Sequence, residues 1–250
     1  MGPQQTHRNV QVFETPEQLA FAAAERFVAR AHEFHGEAHR FSVALAGGRT
    51  PRRVYELLAT DQFNSRVAWH QLHLFFGDER SVPQDHPESN YAMAYETLIS
   101  KVAIPPKNVF RIIGEGNPDE NARAYENQLR TFFAGQAWPR FDLVFLGMGG
   151  DGHTASLFPG SEALNEKTKW VVATRLHRVS QDRITLTVPA FNHAALVMFL
   201  VTGKEKAARI AEVLRGQPTP NRLPAQLIRP GDETDGAHEW LIDRGAALLL

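Results

Sequence analysis

Residues 141–153 read FDLVFLGMGGDGH: a short apolar run that ends in a glycine-rich loop carrying one acid and one histidine. Apolar runs of this length, closed by glycine, are typical of buried strands. Three further apolar runs, over residues 41–46, 72–76 and 196–202, lead into glycine-containing loops in the same way, and together with residues 141–146 they are predicted as strands. The repeated pattern predicts several buried strands that each lead directly into a loop able to carry chemistry.

Helical patterns separate these strands along the chain. Thr15-Pro16-Glu17-Gln18 combines a cap, a proline at the first helical position and a capping-box partner, and it predicts a helix to about His32. Asn117-Pro118 opens another helix, which reaches Phe133. The remaining expected helices follow Pro51, run from Ser89 or Asn90 to Ile99, and run from Lys204 to Arg215. Further strands are expected over residues 170–176, 184–188 and 240–242.

Alternating strands and helices favour an α/β fold: a doubly wound, mostly parallel, Rossmann-like sheet with helices on both faces. No repeat or linker divides residues 1–250, so we expect a single domain, with residues 1–10 forming a flexible tail. In such sheets, ligands bind beyond the carboxyl ends of the strands. The four loops that follow the strands are therefore expected to line one rim.

Composition and charge narrow the function. The 250 residues carry 27 basic and 28 acidic side chains, which gives no basic field for nucleic acid or for an anionic membrane. The absence of cysteine excludes disulfides, thiolate metal sites and a cysteine nucleophile, and it fits a reducing cytoplasm. The longest apolar run, residues 194–201, is too short to span a bilayer. We expect a cytoplasmic monomer or small homo-oligomer whose partner is a small molecule.

The loop Gly47-Gly48-Arg49-Thr50 joins a strand to a helix. Its glycines let the backbone approach an anion, N–H groups at the helix start attract negative charge, and Thr50 adds a hydroxyl donor. A tight strand-to-helix turn explains the glycines equally well. Gly203-Lys204 makes a similar junction, and Lys204 offers a point charge for a phosphate, although a lone lysine there usually faces solvent.

Residues 147–152 fit the G-x-G-x-x-G pattern of dinucleotide-binding loops. That function requires an acidic ribose ligand about 20 residues further on, and no acid occurs over residues 167–181. Asp151 would also stand where the pyrophosphate should lie. A lone loop histidine is most often solvated. His153, two residues after an acid in a permissive loop, is a better candidate for a general base, because histidine titrates near neutral pH.

Two other polar segments lie at strand ends. Asp78 and Arg80 follow a buried strand, where Asp78 could orient a sugar hydroxyl or a catalytic partner and Arg80 could bind an anion in bidentate fashion. An exposed turn with a surface ion pair is the alternative. Arg183 leads a strand and could reach the same rim, or it could be a solubilising charge at a sheet edge.

Metal and covalent-nucleophile sites are not indicated. His32, His35 and His39 share one side of a helix but lack the carboxylate or cysteine that would complete a metal set, so a solvated face is expected. The signatures of serine hydrolases, zinc hydrolases and P-loop proteins are absent. We therefore expect no cofactor and no metal.

Taken in order, the segments resemble those of the 6-phosphogluconolactonases. The most specific match is LGMGGDGHTASLFPG over residues 146–160. The resemblance continues with LAGGRTP at 45–51, FGDER at 76–80, SNY at 89–91, RITLT at 183–187, VTGK at 201–204 and EWLID at 239–243. It covers nearly the whole chain, from about Phe13 onward, and its motifs are jointly specific.

This resemblance implies the fold shared with aminosugar-phosphate deaminases and a metal-independent hydrolysis of 6-phospho-D-glucono-1,5-lactone in the pentose phosphate pathway. It also implies that His153 is the base and Asp151 its partner. The residues that it implies for phosphate and sugar binding are Gly47, Gly48, Thr50, Arg80, Arg183 and Lys204. The chain departs from the pattern at Ala46, where the family often has a serine, and Arg49 could supply a charge instead of that hydroxyl.

Two other functions fit part of the same pattern. The aminosugar-phosphate deaminases resemble it at Asp151-Gly152-His153 but continue with Asn-Glu-Pro, whose acid assists ring opening. Here residues 156–159 read SLFP, and no acid follows until Glu162. A non-catalytic sugar-phosphate sensor would keep the phosphate loops without needing Asp151 or His153, and the chain has no basic DNA-binding segment.

Overall fold

The computed structural model describes residues 9–33, 40–175, 181–231 and 234–250. The strands in these ranges are β1 (Asn9–Phe13), β2 (Phe41–Leu45), β3 (Leu72–Phe76), β4 (Asp78–Arg80), β5 (Leu143–Leu146), β6 (Val171–Thr174), β7 (Arg183–Leu186), β8 (Leu196–Val201) and β9 (Ala237–Asp243). The α-helices are α1 (Pro16–Glu33), α2 (Arg49–Leu58), α3 (Asp61–Asn64), α4 (Asn90–Thr97), α5 (Pro118–Phe132), α6 (Val188–Asn192) and α7 (Ala207–Arg215). Short 3₁₀ turns cover Trp69–Gln71, Ile99–Lys101, Pro106–Asn108, Glu162–Asn165, Lys204–Lys206 and Pro224–Leu227.

Six strands form one parallel sheet in the order β1-β9-β8-β5-β2-β3. Every residue of β2, β5 and β8 is buried, which requires cover on both faces because successive side chains point to opposite sides. On one face Phe27 of α1 packs edge-on against Phe41, and on the other Phe132 of α5 packs against Phe75. The predicted α/β class and doubly wound sheet are confirmed.

The helix starts follow from their capping residues. The Thr15 hydroxyl accepts from the Gln18 N–H, and the Gln18 side chain accepts in turn from the Glu14 N–H. The Ser89 hydroxyl caps α4 by accepting from the Ala92 N–H, and the Asn117 side chain caps α5. The capping signals therefore place these three helices correctly.

A second, smaller sheet departs from the sequence prediction. The segments expected as strands near 170–176 and 184–188 are β6 and β7, and β7 pairs with β4 on one side and with β6 on the other in a three-stranded antiparallel sheet. Residues Asp78–Arg80, expected to lie in a loop, are the strand β4 itself. A hydrogen bond joins the two sheets: the Leu186 N–H at the end of β7 donates to the Gly77 carbonyl oxygen between β3 and β4, at 2.9 Å. After Leu186 the chain turns into α6, whose start carries Pro189.

The last two residues of the predicted flexible tail belong to a strand. Asn9 and Val10 belong to β1, where they lie beside Glu239 and Trp240 of β9. Residues 1–8 lie outside the described residues, as do His35, His39 and the predicted strand end at Leu176. The single-domain organisation remains a prediction. Among the helices of the described ranges, none is long and apolar enough to cross a bilayer.

Candidate active site

The strand order of the large sheet reverses between β2 and β5. From β2 the chain runs outward to β3, then returns to β5 on the other side of β2 and continues to β8 and β9. The two central strands pair only at Val43 with Leu143 and at Ala44 with Val144, and they separate beyond that point. Ligands of open α/β sheets bind in such a crevice, outside the carboxyl ends of the strands.

A cavity of about 240 Å³ lies at this crevice. The loops after β2, β5 and β8 contribute to its wall together with strand β4, which follows β3, so the four segments meet at one rim as expected. Seven of the ten predicted site residues line it: Gly47, Gly48, Arg49, Thr50, Asp78, Arg80 and His153. The other three, Asp151, Arg183 and Lys204, are not part of the wall, although Asp151 bonds directly to His153.

Asp151 and His153 form a hydrogen-bonded pair in the loop after β5. Asp151 Oδ1 lies 2.6 Å from His153 Nδ1 and also accepts from the His153 backbone N–H at 3.1 Å. The hydrogen bond from His153 holds the pKa of the Asp151 carboxyl well below its usual range, although partial burial acts in the opposite direction. An ionised Asp151 fixes a proton on Nδ1, which leaves the lone pair of a neutral imidazole on Nε2.

The loop itself holds this pair in place. The Gly149 N–H donates to the His153 carbonyl oxygen at 2.8 Å, and the Gly152 N–H donates to the Gly149 carbonyl oxygen. A Cβ at Gly149 would lie 2.2 Å from the imidazole ring, so only glycine fits beneath His153. The Phe158 ring packs against the imidazole with 4.5 Å between centroids.

The loop after β2 presents backbone groups to the cavity and one charged side chain, Arg49. Gly48 has φ +103° and ψ 169°, a conformation that is essentially restricted to glycine, and it precedes α2 without any side-chain cap. The N–H groups of Arg49 and Thr50 at the start of α2 are therefore available to an anion, whereas Pro51 has no N–H and the Arg52 N–H donates to the Gly48 carbonyl oxygen. The Thr50 hydroxyl lies 2.9 Å from the Thr202 hydroxyl, which joins this loop to the end of β8. The Arg49 side chain is 92% exposed, and its guanidinium lies 3.7 Å from the Glu205 carboxylate. An exposed ion pair of this kind contributes little to stability.

The segment after β3 is buried rather than an exposed turn. Asp78 accepts from the Ser156 hydroxyl at 2.6 Å and from the Asn90 side-chain amide at 3.2 Å. Glu79 caps the start of α4 by accepting from the N–H groups of Asn90 and Tyr91 and from the Ser89 hydroxyl. Burial raises the pKa of the Glu79 carboxyl, and these N–H donors oppose the rise.

Asn90 lines the cavity and was not predicted as a site residue. Its Nδ2 donates to the backbone oxygen and to Oδ1 of Asp78, so the amide orientation is fixed by two acceptors. Its Oδ1 is buried without a hydrogen-bond partner and lies where a Cβ of Gly47 would be, 1.8 Å from that position. Gly47 is therefore required by this contact. The sequence indicated Asn90 only as a possible helix cap.

Two arginines face each other across the small sheet. Arg80 and Arg183 are register partners on β4 and β7, and in the described ranges neither forms a salt bridge to a carboxylate. Arg80 donates to the Glu88 carbonyl oxygen, and Arg183 donates to the Gln181 carbonyl oxygen at 2.9 Å. Burial lowers the pKa of the Arg183 guanidinium, and the nearby charge of Arg80 adds to the effect. Such a pair is suited to binding an anion.

Lys206, not Lys204, lines the cavity. Residues 204–206 form a 3₁₀ turn before α7 instead of the single helix expected from Lys204 to Arg215, and Lys204 is exposed. The Lys206 ammonium lies 3.8 Å from the position that a Cβ of Gly150 would occupy, beside the loop of His153. The structure thus brings Lys206 to the cavity wall, whereas Lys204 as a phosphate ligand stays a prediction.

Residues 14–238 match the family described as glucosamine-6-phosphate isomerases/6-phosphogluconolactonase. The chain belongs to this family. A 6-phosphogluconolactonase of Synechocystis sp. is 39% identical over 208 residues, 82% of each chain. The 6-phosphogluconolactonase of Rattus norvegicus is 36% identical over 244 residues, 96% of this chain and 93% of the relative.

Solved structures agree with this membership. The structure of 6-phosphogluconolactonase from Trypanosoma brucei has a TM-score of 0.85 and 31% identity, and covers 97% of this chain and 98% of its own. A monomeric glucosamine-6-phosphate deaminase has a TM-score of 0.79 at 21% identity over 97% of this chain and 100% of its own, a likeness of fold alone. The resemblance drawn from the motifs is confirmed, and so is the expectation that this family member is an enzyme.

Proposed function

We propose that the protein hydrolyses 6-phospho-D-glucono-1,5-lactone to 6-phospho-D-gluconate, the lactone-opening step of the pentose phosphate pathway. Relatives named for this activity that match most of the chain support the reaction. The observation that carries the mechanism is the Asp151–His153 pair, 2.6 Å between Oδ1 and Nδ1, at a cavity that also carries cations and a helix start.

His153 activates water in this mechanism. Asp151 keeps the proton on Nδ1, and Nε2 takes a proton from a water molecule as the water oxygen attacks C1 of the lactone. The tetrahedral intermediate places negative charge on the former carbonyl oxygen, and loop N–H groups or the Arg80 guanidinium at the same cavity stabilise it. The intermediate collapses by breaking the bond from C1 to the ring oxygen. The protonated imidazole then donates its proton to the departing oxygen, which regenerates neutral His153.

The phosphate binds away from C1 and positions the ring. Gly48, Thr50 and Lys206 form one anion-binding wall, from a helix start, a hydroxyl and an ammonium group. Arg80 brings positive charge from the small sheet, with Arg183 beside it. Binding energy from the phosphate is thereby used to orient C1 towards the base.

The reaction is tested with freshly generated lactone, because the lactone also hydrolyses without an enzyme. We expect the purified protein to accelerate lactone loss strongly over buffer, and to release no ammonia from glucosamine 6-phosphate. The second expectation rests on the region after His153, where the first acid, Glu162, is exposed and lies outside the cavity wall. No acceleration over buffer would overturn the proposed reaction, and ammonia release would favour a deaminase.

The binding partner, the oligomeric state and the cellular location belong to the same proposal. The partner is a sugar-phosphate lactone rather than nucleic acid or a membrane, and the protein acts as a monomer or small homo-oligomer. A cytoplasmic location remains a prediction, since some plant relatives are named as chloroplastic.

A further inference from the structure

Tyr55 lies beneath the loop that follows β2. It is a fully buried residue of α2, and its hydroxyl donates to the Ala46 carbonyl oxygen and accepts from the Ala46 N–H, both at 2.9 Å. Ala46 is the residue between the end of β2 and Gly47. Burial raises the pKa of Tyr55, so the hydroxyl keeps its proton and can donate at any working pH.

The Tyr55 hydroxyl bonds the two backbone groups of Ala46 that a neighbouring strand would otherwise bond. The N–H and C=O groups of successive residues point to opposite edges of a strand. The Leu45 carbonyl oxygen accepts from the Gly77 N–H on the β3 side, so the groups of Ala46 point towards β5. The registered pairing of β2 with β5 ends at Ala44, and buried backbone groups without partners are costly. Tyr55 satisfies both groups, its ring 6.2 Å from Phe145 of β5.

The tyrosine thus ties one end of the loop to the other. The loop begins at Ala46, and it ends in the first turn of α2, the helix that carries Tyr55. A shift of Ala46 relative to α2 would change the direction of the N–H groups at Gly48 and Thr50. Because an anion is held by several such groups together, small displacements weaken its binding.

Tyr125 provides an internal comparison. Its hydroxyl makes the same two bonds to one residue, accepting from the Phe76 N–H at 2.9 Å and donating to the Phe76 carbonyl oxygen at 3.0 Å. Tyr125 is equally buried, and Phe76 ends β3, which is the edge strand of the large sheet. The same hydroxyl chemistry therefore closes an outer edge in one case and the central crevice in the other.

We propose that Tyr55 is a positioning residue for the phosphate end of the substrate, acting by fixing Ala46 so that the Gly47–Thr50 loop keeps its anion-binding shape. The proposal rests on the proposed function for the identity of the substrate. Under this proposal Tyr125 has no comparable influence on phosphate binding, although removal of the Tyr125 hydroxyl should disturb the fold to a similar degree.

The test compares Tyr55→Phe with the matched control Tyr125→Phe in the full-length protein. Both variants are expected to lower the urea midpoint. Only Tyr55→Phe should weaken binding of inorganic phosphate, measured by calorimetry, by about fivefold to tenfold, the value of about one hydrogen bond. It should raise KM for the phosphorylated lactone by a similar factor and leave kcat within about twofold.

Several outcomes would overturn the proposal. These are a Tyr55→Phe variant with wild-type phosphate affinity, equal losses of phosphate affinity in the two variants, or a wild-type protein that binds no phosphate. Amide hydrogen exchange on the wild type provides a check without substitution, because phosphate should slow exchange at residues 47–50 and not at Asp61–Asn64 of α3, which lies outside the cavity wall. If the wild type binds phosphate but does not hydrolyse the lactone, the proposed function fails while the phosphate comparison still decides the role of Tyr55.

Discussion

The loops on the two sides of the central crevice have opposite chemical character. The Gly47–Thr50 loop after β2 contains no acid and offers backbone N–H groups, one hydroxyl and a helix start. The Gly147–His153 loop after β5 contains the bonded pair of Asp151 and His153. Both loops are rich in glycine and both follow a buried strand, so the difference lies in the side chains that they carry. Under the proposed mechanism, binding and proton transfer are therefore divided between separate walls of one cavity.

The loops are also held in different ways. The loop after β2 depends on Tyr55, which lies in the helix behind it, whereas the loop after β5 is held by its own short hydrogen bonds between Gly149, Gly152 and His153. If the two walls have separate tasks, substitutions on one side should change kcat and substitutions on the other should change KM.

The largest effect is expected from His153→Ala. Loss of the general base should lower kcat by about 100-fold to 10,000-fold while KM stays near its wild-type value. The measurement is steady-state kinetics on fresh lactone, corrected for spontaneous hydrolysis. Nearly wild-type turnover in this variant would show that His153 is not the general base.

The next effect is expected on the binding wall, from Lys206→Met. Losing one charged contact to the phosphate should raise KM for the phosphorylated lactone by about tenfold to a hundredfold, with a smaller change in kcat. Lys204→Met is the matched control: its side chain is exposed and lies outside the wall, so KM should stay within about twofold. Equal effects of the two substitutions, or a larger effect of Lys204→Met, would contradict this division.

Asp151→Asn should shift the pH dependence of kcat/KM and leave substrate binding nearly unchanged. Because the hydrogen bond from His153 keeps the pKa of Asp151 far below the usual carboxyl range, Asp151 stays ionised and the acid limb of kcat/KM reports one protonation event. Asp151→Asn removes the negative charge beside the imidazole, so the acid limb should move to lower pH. A profile with an unchanged acid limb would show that the pair is not coupled during the reaction.

The smallest effects concern backbone conformation in the two loops. Gly48→Ala should destabilise the protein by about 1 to 3 kcal/mol, because its backbone conformation is essentially restricted to glycine while a Cβ meets nothing closer than 4.0 Å. Ala155, beyond the loop of His153, already has φ +46°. Ala155→Gly should therefore change stability by less than about 1 kcal/mol, since relief of strain offsets the greater freedom of the unfolded chain. Urea unfolding measures both, and a larger loss for Ala155→Gly would reverse the comparison.

Much of the large sheet could be predicted because its strands are buried at almost every position. Leu72–Phe76 was predicted residue for residue, and Leu196–Val201 within one residue, since a continuous apolar run is the direct result of cover on both faces. The helix starts at Pro16 and Pro118 were predicted because capping is a local interaction. The segments that follow these strands must lie at one rim of a parallel sheet, and that rule brought seven of the ten predicted residues to the cavity wall.

Local patterns could not provide what depends on distant pairing. Strand β4 is three charged residues long and exists because β7, about a hundred residues further along the chain, pairs with it. Lys204 and Lys206 belong to one tight turn, and only the direction of that turn decides which of them reaches the cavity. Asn90 showed its capping position in the sequence, whereas its contacts with Gly47 and Asp78 arise only from the tertiary fold.

The pairing of β1 with β9 has a consequence for folding during synthesis. Asn9 lies beside Glu239, 230 residues later in the chain, and β9 separates β1 from every other strand of the sheet. At ordinary translation rates of about 5 to 20 residues per second, β1 leaves the ribosome about 10 to 50 s before β9, its partner in the described sheet, is made. We therefore expect the nascent chain to assemble the strands from β2 to β8 first and to insert β9 between β8 and β1 as the last step.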